Sequence, residues 1–256
     1  MGYQFYRVSV EEHVATVTMD RPPVNAFSRQ MYEEGVHLFQ QLGSDPEVWV
    51  VVLTGAGERA FCAGNDVAEF QEQDPAAVES HIALTSEFFR TLYECAVPVI
   101  GAINSHALGT GCAIASSCDV LVAARNATFG FPEIRVGAFA GGSLLRRLVP
   151  EHKARWLVLS GERVSAEELY RLGVVEGLVE VAELLPTAQS LAKTLLSVPP
   201  LGIRIGKKAL NETEYMPLWE ASKINEKYFG QIRMTEDSVE AARAFLEKRT
   251  PRFKGR

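Results

Sequence analysis

The chain has 256 residues, of which 47% are hydrophobic and 23% charged, and its formal net charge is -6. These are the proportions of a soluble globular protein of one large domain, or one domain with an appendage. They exclude a disordered chain, a coiled coil and a collagen-like repeat, and the acidic balance speaks against a nucleic-acid-binding protein, which needs a basic face.

The first twenty residues alternate between apolar and polar and predict two short strands on either side of Glu11-Glu12-His13. Pro22-Pro23 and Asn25 break the pattern, and Ser28 is placed to cap a helix running through Leu42. Val48 to Leu53 is a nearly continuous apolar run ending at Thr54-Gly55, the mark of a strand buried on both faces of a parallel sheet. A helix is predicted from about Pro75 to Cys95, a strand over Val97–Gly101, and a glycine-rich turn at Leu108–Gly111 opening the apolar segment Cys112–Ser116. Asp119–Ala123 reads as the next strand. Strand and helix in alternation predict an α/β fold with right-handed crossovers. After about residue 143 the texture changes, and 151–160, 165–172, 181–197, 199–211, 217–229 and 236–249 all read as helices.

The cysteines, Cys62, Cys95, Cys112 and Cys118, form no Cys-x-x-Cys pair, and the histidines are scattered. Neither a metal site nor a disulfide framework is expected, and the thiols read as free groups in a reducing compartment. The start of the chain has no basic stretch followed by an apolar one, and no apolar run approaches the ~18 residues of a membrane span. A cytoplasmic protein without a membrane partner is expected.

Three segments are candidates for chemistry. Gly55-Ala56-Gly57-Glu58-Arg59-Ala60 matches a dinucleotide fingerprint, but a second loop follows it instead of the long helix that such a site needs. The loops Ala60–Asp66 and Ala107–Gly111 are rich in small residues and precede helical sequence. They are either ordinary strand-to-helix turns or, if they converge, two sources of backbone N–H groups for an oxyanion hole. Glu133, in Phe129-Gly130-Phe131-Pro132-Glu133-Ile134, is a single carboxylate between apolar groups. It is either a surface turn residue or an acid–base group whose pKa is raised by desolvation. No serine lies in a nucleophile elbow, and no histidine completes a triad.

Together, Asp20-Arg21-Pro22…Asn25-Ala26-Phe27, Val51–Gly57 with Ala60–Asp66, Ile103-Asn104…Ala107–Cys112 with Cys118-Asp119, and Phe129-Gly130…Pro132-Glu133 resemble the enoyl-CoA hydratase/isomerase family, the crotonases. The likeness continues through Leu159-Ser160-Gly161 and Leu172–Val175 to the tail Ala244–Arg249. The resemblance implies a ββα spiral core over 1–195 that binds an acyl-CoA thioester, and a helical region over 196–256 that builds a homotrimer or a dimer of trimers. Coenzyme A enters as part of the substrate, with no separate cofactor and no metal.

The resemblance also implies site residues. The backbone N–H groups holding the thioester oxygen map onto Ala63 and Thr110, and the base maps onto Glu133. Coenzyme A contacts map onto Asn25, Ala26, Phe27, Phe61, Ala63 and Asp66, and onto Phe245 and Lys248 from a neighbouring subunit. Hydratases of this family pair two glutamates around a water. Here the first position is Ala113, and the second donor position, usually Gly, is Thr110. A single glutamate fits a Δ3,Δ2-enoyl-CoA isomerase, which carries one proton from C2 to C4. Hydration of a 2-enoyl-CoA is the alternative, and a non-catalytic acyl-CoA- or RNA-binding relative is the reading from another class.

Overall fold

A computed structural model describes residues 2–70 and 74–256. The chain opens with an antiparallel hairpin, β1 (Tyr6–Glu11) and β2 (Val14–Met19). Helix α1 (Arg29–Ser44) follows, and its N-cap is the expected Ser28, whose hydroxyl accepts from the Met31 N–H. Three turns of the chain then repeat one plan. A longer strand is followed by a short one and then by helix: β3 (Val50–Gly55), β4 (Ala60–Cys62) and α2 (Pro75–Tyr93); β5 (Val99–Ile103), β6 (His106–Leu108) and α3 (Thr110–Ser117); β7 (Val120–Ala124), β8 (Thr128–Gly130), α4 (Gly142–Leu145) and α5 (Glu151–Ser160). Strand β9 (Arg163–Ser165), α6 (Ala166–Arg171), β10 (Gly177–Val179) and α7 (Val181–Leu196) close the core, and α8 (Pro200–Thr213), α9 (Leu218–Arg233) and α10 (Glu236–Glu247) end the chain.

The long strands form one six-stranded sheet, in the order β1-β2-β3-β5-β7-β10, parallel from β2 onward. The short ones form a second sheet, β4-β6-β8-β9. Each turn therefore adds one strand to each sheet, which is the expected spiral. The second sheet was not foreseen from the sequence. Its strands are three residues each, too short for a period of two to register. The helical reading of the last hundred residues is corrected in the same way by β9 and β10.

The six-stranded sheet is covered on both faces, as the apolar run of β3 implies. Val51 and Leu53 face the main core with Phe39, Phe88 and Leu92, while Val50 and Val52 face Leu184, Ala188 and Ala192 of α7. The terminal helices are tied to this core by two cations on α8. Arg204 donates to the carbonyls of Gly43, Asp45 and Val48, at the C-terminal end of α1. The buried ammonium of Lys207 donates to Val97 O at 3.1 Å and to Asp119 Oδ2 at 2.7 Å.

Candidate active site

Strands β4, β6 and β8 are neighbouring and parallel, so their C-terminal ends lie side by side. The loop after each one carries a segment singled out in the sequence. They are Ala63–Asp66 after β4, Gly109-Thr110 after β6 and Phe131–Glu133 after β8. Convergence follows from topology. Gly109 sits at the centre with φ +55° and ψ -116°, a conformation that favours glycine. A Cβ there would collide with the Glu133 carboxylate and come within 3.4 Å of Gly64 Cα.

Glu133 lies in a 3-10 turn, Pro132–Val136, with proline at its first position. Its Oε2 is buried and has no hydrogen-bond partner among the described residues. Burial pushes the carboxyl pKa up, and a hydrogen bond to its own backbone opposes this. A half-buried carboxylate with an unused oxygen and a raised pKa is suited to taking a proton from a ligand.

Thr110 is the first residue of α3. Its backbone N–H belongs to the helix end that lacks intrahelical acceptors, and no acceptor meets it among the described residues. Ala63 differs from expectation. Its N–H donates to Val24 O at 3.1 Å, so that proton is already committed and Ala63 is not a free donor. Two residues on, the backbone at Asn65 pairs with Phe27: Phe27 N–H donates to Gly64 O and Asp66 N–H to Phe27 O, each at 2.9 Å. Strand geometry turns the Asn65 N–H away from that bridge, and no acceptor meets it among the described residues.

Asn65 and Thr110 are in direct contact, with Thr110 Oγ1 donating to Asn65 Oδ1 at 3.0 Å. The Tyr32 hydroxyl completes the group, 2.6 Å from Asn65 Oδ1 and 2.7 Å from Thr110 Oγ1. Neither Tyr32 nor Asn65 was singled out in the sequence. Asn65 is not marked by strand alternation, because Gly64, at φ +109°, interrupts it. Tyr32 carries no local signal, because its hydroxyl reaches the site only through the packing of α1.

The remaining expected residues divide by burial. Phe27 and Phe61 are wholly buried in the core, where their side chains pack the loops. Asn25 is buried as well. Its Nδ2 donates to Ala56 O, Ala60 O and Phe61 O, and its Oδ1 accepts from Arg21 N–H, so it braces the loop. The side chains of Asn25, Phe27 and Phe61 thus hold the loops from within the core. Ala26 is half-buried, and its carbonyl accepts from Arg21. Asp66 forms an ion pair with Arg21 at 2.5 Å; that hydrogen bond, with a second from Ala68 N–H, holds its pKa below the usual carboxylate range. Phe245 and Lys248 lie exposed on and just after α10, and no contact within the chain brings them to the site. Ala113 is buried on α3 one turn after Thr110 and offers no carboxylate.

A family model described as enoyl-CoA hydratase/isomerase matches residues 9–256. The short-chain-enoyl-CoA hydratase of Clostridium acetobutylicum is 37% identical over 243 residues, 93% of each chain. The chain belongs to the enoyl-CoA hydratase/isomerase family. It is an enzyme of that family, acting as hydratase (lyase) or isomerase. The crotonyl-CoA hydratase of Syntrophomonas wolfei is 35% identical over 99% of both chains. Among solved structures, an enoyl-CoA hydratase from Bacillus anthracis superposes with a TM-score of 0.94 at 31% identity, covering 99% of this chain and 100% of the other. Among the described residues, no helix is long and apolar enough to cross a membrane, and no group of three or more His, Cys, Asp or Glu is placed to hold a metal ion.

Proposed function

We propose that the chain binds an enoyl-CoA thioester with its carbonyl oxygen on the N–H groups of Asn65 and Thr110, and that Glu133 moves the proton at the α-carbon. On a 3-enoyl-CoA, Glu133 takes a proton from C2. The electron pair of the broken C–H bond spreads into the thioester, forming a dienolate whose oxygen is held by the two N–H groups. The same carboxyl group returns the proton to C4, and the double bond moves from C3=C4 to C2=C3. Protons and electrons balance with no other reactant. The observation that carries this reading is the half-buried Glu133 carboxylate at the loop junction, its Oε2 buried without a partner among the described residues, with Ala113 where the resembled hydratase pattern has a second acid. Loss of one oxyanion donor typically slows such chemistry about 10²–10³-fold, so both N–H groups matter to the rate.

Hydration of a 2-enoyl-CoA is the second reading, favoured by the names of the relatives at 37% and 35% identity. Glu133 would then take a proton from water as oxygen adds to C3, and deliver it to C2. One experiment separates the two. Incubation with short- and medium-chain 3-enoyl- and 2-enoyl-CoAs, followed by mass spectrometry, gives products of unchanged mass for isomerisation and a gain of one water for hydration. Hydration outpacing isomerisation would overturn the first reading, and no turnover of either class would overturn both.

The terminal helices extend the proposal. Phe229, Met234, Phe245 and Leu246, on or beside α9 and α10, are all more than 60% exposed, and large apolar side chains left in solvent at the end of the chain suit an interface. A homotrimer, or a pair of trimers, would bury them and would bring Phe245 and Lys248 to a neighbour's coenzyme A. Residues 1–195 would then be the acyl-CoA-binding core and 196–256 the assembly region.

A further inference from the structure

Three side chains from three elements meet beside the proposed oxyanion hole: Tyr32 of α1, Asn65 of the loop after β4, and Thr110 at the start of α3. Tyr32 has no exposed surface. Its ring lies 4.8 Å from that of Phe27, 5.4 Å from Phe88, 5.7 Å from His81 and 6.2 Å from Phe89, centre to centre. The phenol oxygen is thus fixed by packing on several sides. Burial holds it well above the usual tyrosine pKa, against the opposing effect of the Thr110 hydrogen bond, so it stays a neutral O–H.

The proton count in this group is restrictive. Two hydroxyl protons, from Tyr32 and Thr110, are shared among three edges, and Asn65 Oδ1 only accepts. The triangle uses both protons internally and leaves neither for a ligand. Both residues it joins have backbone N–H groups that meet no acceptor among the described residues.

We infer that Tyr32 is a positioning residue for the oxyanion hole, its hydroxyl locking the Asn65 loop to the first turn of α3 and so fixing the spacing of the two N–H donors. This rests on the reading of those donors as the thioester-oxygen site. The glycine that usually occupies the Thr110 position in the resembled pattern carries no hydroxyl, so this clasp depends on the side chains that this chain places there. Electrostatic stabilisation of an enolate depends on donors being held in place before the charge develops. A misplacement on the order of 1 Å is enough to slow a reaction about 10²-fold.

The test is the carbonyl stretch of butyryl-CoA, labelled with carbon-13 at C1 and bound to the full chain. A working hole lowers that frequency relative to free butyryl-CoA. Tyr32→Phe keeps the ring and removes the hydroxyl. It is expected to move the stretch back toward the free value and to lower kcat about ten- to a hundredfold, with KM changed far less. Thr110→Val, which keeps the shape and loses the oxygen, should reproduce this if Tyr32→Phe does not fold. Thr110→Ser should restore most of the shift lost in Thr110→Val, and Tyr32→Phe with Thr110→Val should be little worse than either alone. A folded Tyr32→Phe or Thr110→Val protein with the wild-type stretch and kcat overturns the inference. Failure of the underlying reading looks different: butyryl-CoA would then not bind to the unaltered protein, or would bind with an unshifted carbonyl.

Discussion

The carboxylate of Glu133 packs against the bare Cα of Gly109, in the space that a side chain would occupy. One glycine thereby serves three ends. It makes the backbone turn that starts α3, lets the base reach the helix terminus, and allows the Gly64 loop to approach from the other side. Gly109→Ala is expected to remove at least about 10²-fold of turnover by displacing Glu133 from the reacting carbons, and to lower the melting temperature because φ is positive there. Kinetics with the preferred enoyl-CoA, beside a thermal melt, checks both. Normal turnover would mean that the carboxylate does not work from this position.

Stability should respond sharply at Lys207. Its ammonium is 6% exposed and holds Val97 O and Asp119 Oδ2, and Asp119 also accepts from Val99 N–H. Lys207→Ala strands the carbonyl and leaves a partly buried carboxylate without its cation. Loss of one partner of a buried pair costs about 3–5 kcal/mol, reduced here because the Asp119 side chain is 22% exposed. A loss of about 2–3 kcal/mol in urea unfolding is expected. A loss under about 0.5 kcal/mol would place α8 outside the cooperative fold.

Assembly is tested by sedimentation at micromolar concentration. The expected mass is a multiple of three times 28.2 kDa. Phe229→Asp and Leu246→Asp, both at exposed apolar positions, should lower it without unfolding the core. A stable monomer at all concentrations would remove the proposed role of Phe245 and Lys248.

The long elements were legible because each has a period or a cap. β3 takes in the last four residues of the apolar run Val48–Leu53, α1 follows a serine that does cap it, and α5 begins and ends at the predicted residues. The second sheet was hidden because three residues hold no pattern, and with it the bridge that pairs Asn65 with Phe27. Gly64, at φ +109°, interrupts strand alternation between Ala63, whose N–H turns to Val24, and Asn65, whose N–H turns away from Phe27, and no period-two pattern marks that switch. The motifs of Glu133 and Thr110 placed both in loops that the structure brings together at the ends of β6 and β8. Tyr32 carried no such mark, since an aromatic at a helical core position looks the same whether or not its hydroxyl finds a partner. Asn25, Phe27 and Phe61 were found as members of the right loops, but only burial separates a residue that shapes a loop from one that meets a ligand.

Ala113 offers a gain-of-function test. It lies one turn along α3 from Thr110, on the helix whose first turn carries a proposed donor. Ala113→Glu supplies a second carboxylate there, able to hold a water that Glu133 alone must orient unaided. The ratio of hydration to isomerisation is expected to rise, measured by product mass on matched 2-enoyl- and 3-enoyl-CoAs. The melting temperature should fall, because Ala113 is only 2% exposed and a larger, charged side chain must find room. An unchanged ratio in a folded variant would show that absence of this carboxylate does not decide the reaction.

Glu133→Gln tests the base itself. The amide keeps the shape and cannot take a proton, so exchange of the α-proton of butyryl-CoA with deuterium should fall by about 10²–10⁴-fold while binding persists. The pH dependence carries a second signature. Only the ionised carboxylate abstracts a proton, and burial raises its pKa, so the acid limb of the exchange rate should lie above the ordinary carboxylate range. Stability follows with a definite sign. The unfolded carboxyl ionises first, near its ordinary pKa of about 4.3, and the folded one only at higher pH. Between those two values the unfolded state binds fewer protons, so ionisation destabilises the fold as pH rises, and the penalty persists at neutral pH. Glu133→Gln should therefore melt higher than the unaltered protein at pH 7, with the gain shrinking as pH falls toward the unfolded pKa. A variant that lost exchange but gained no stability at pH 7 would mean that the carboxylate is not strained by burial. A variant with near-normal exchange would remove Glu133 from the mechanism altogether.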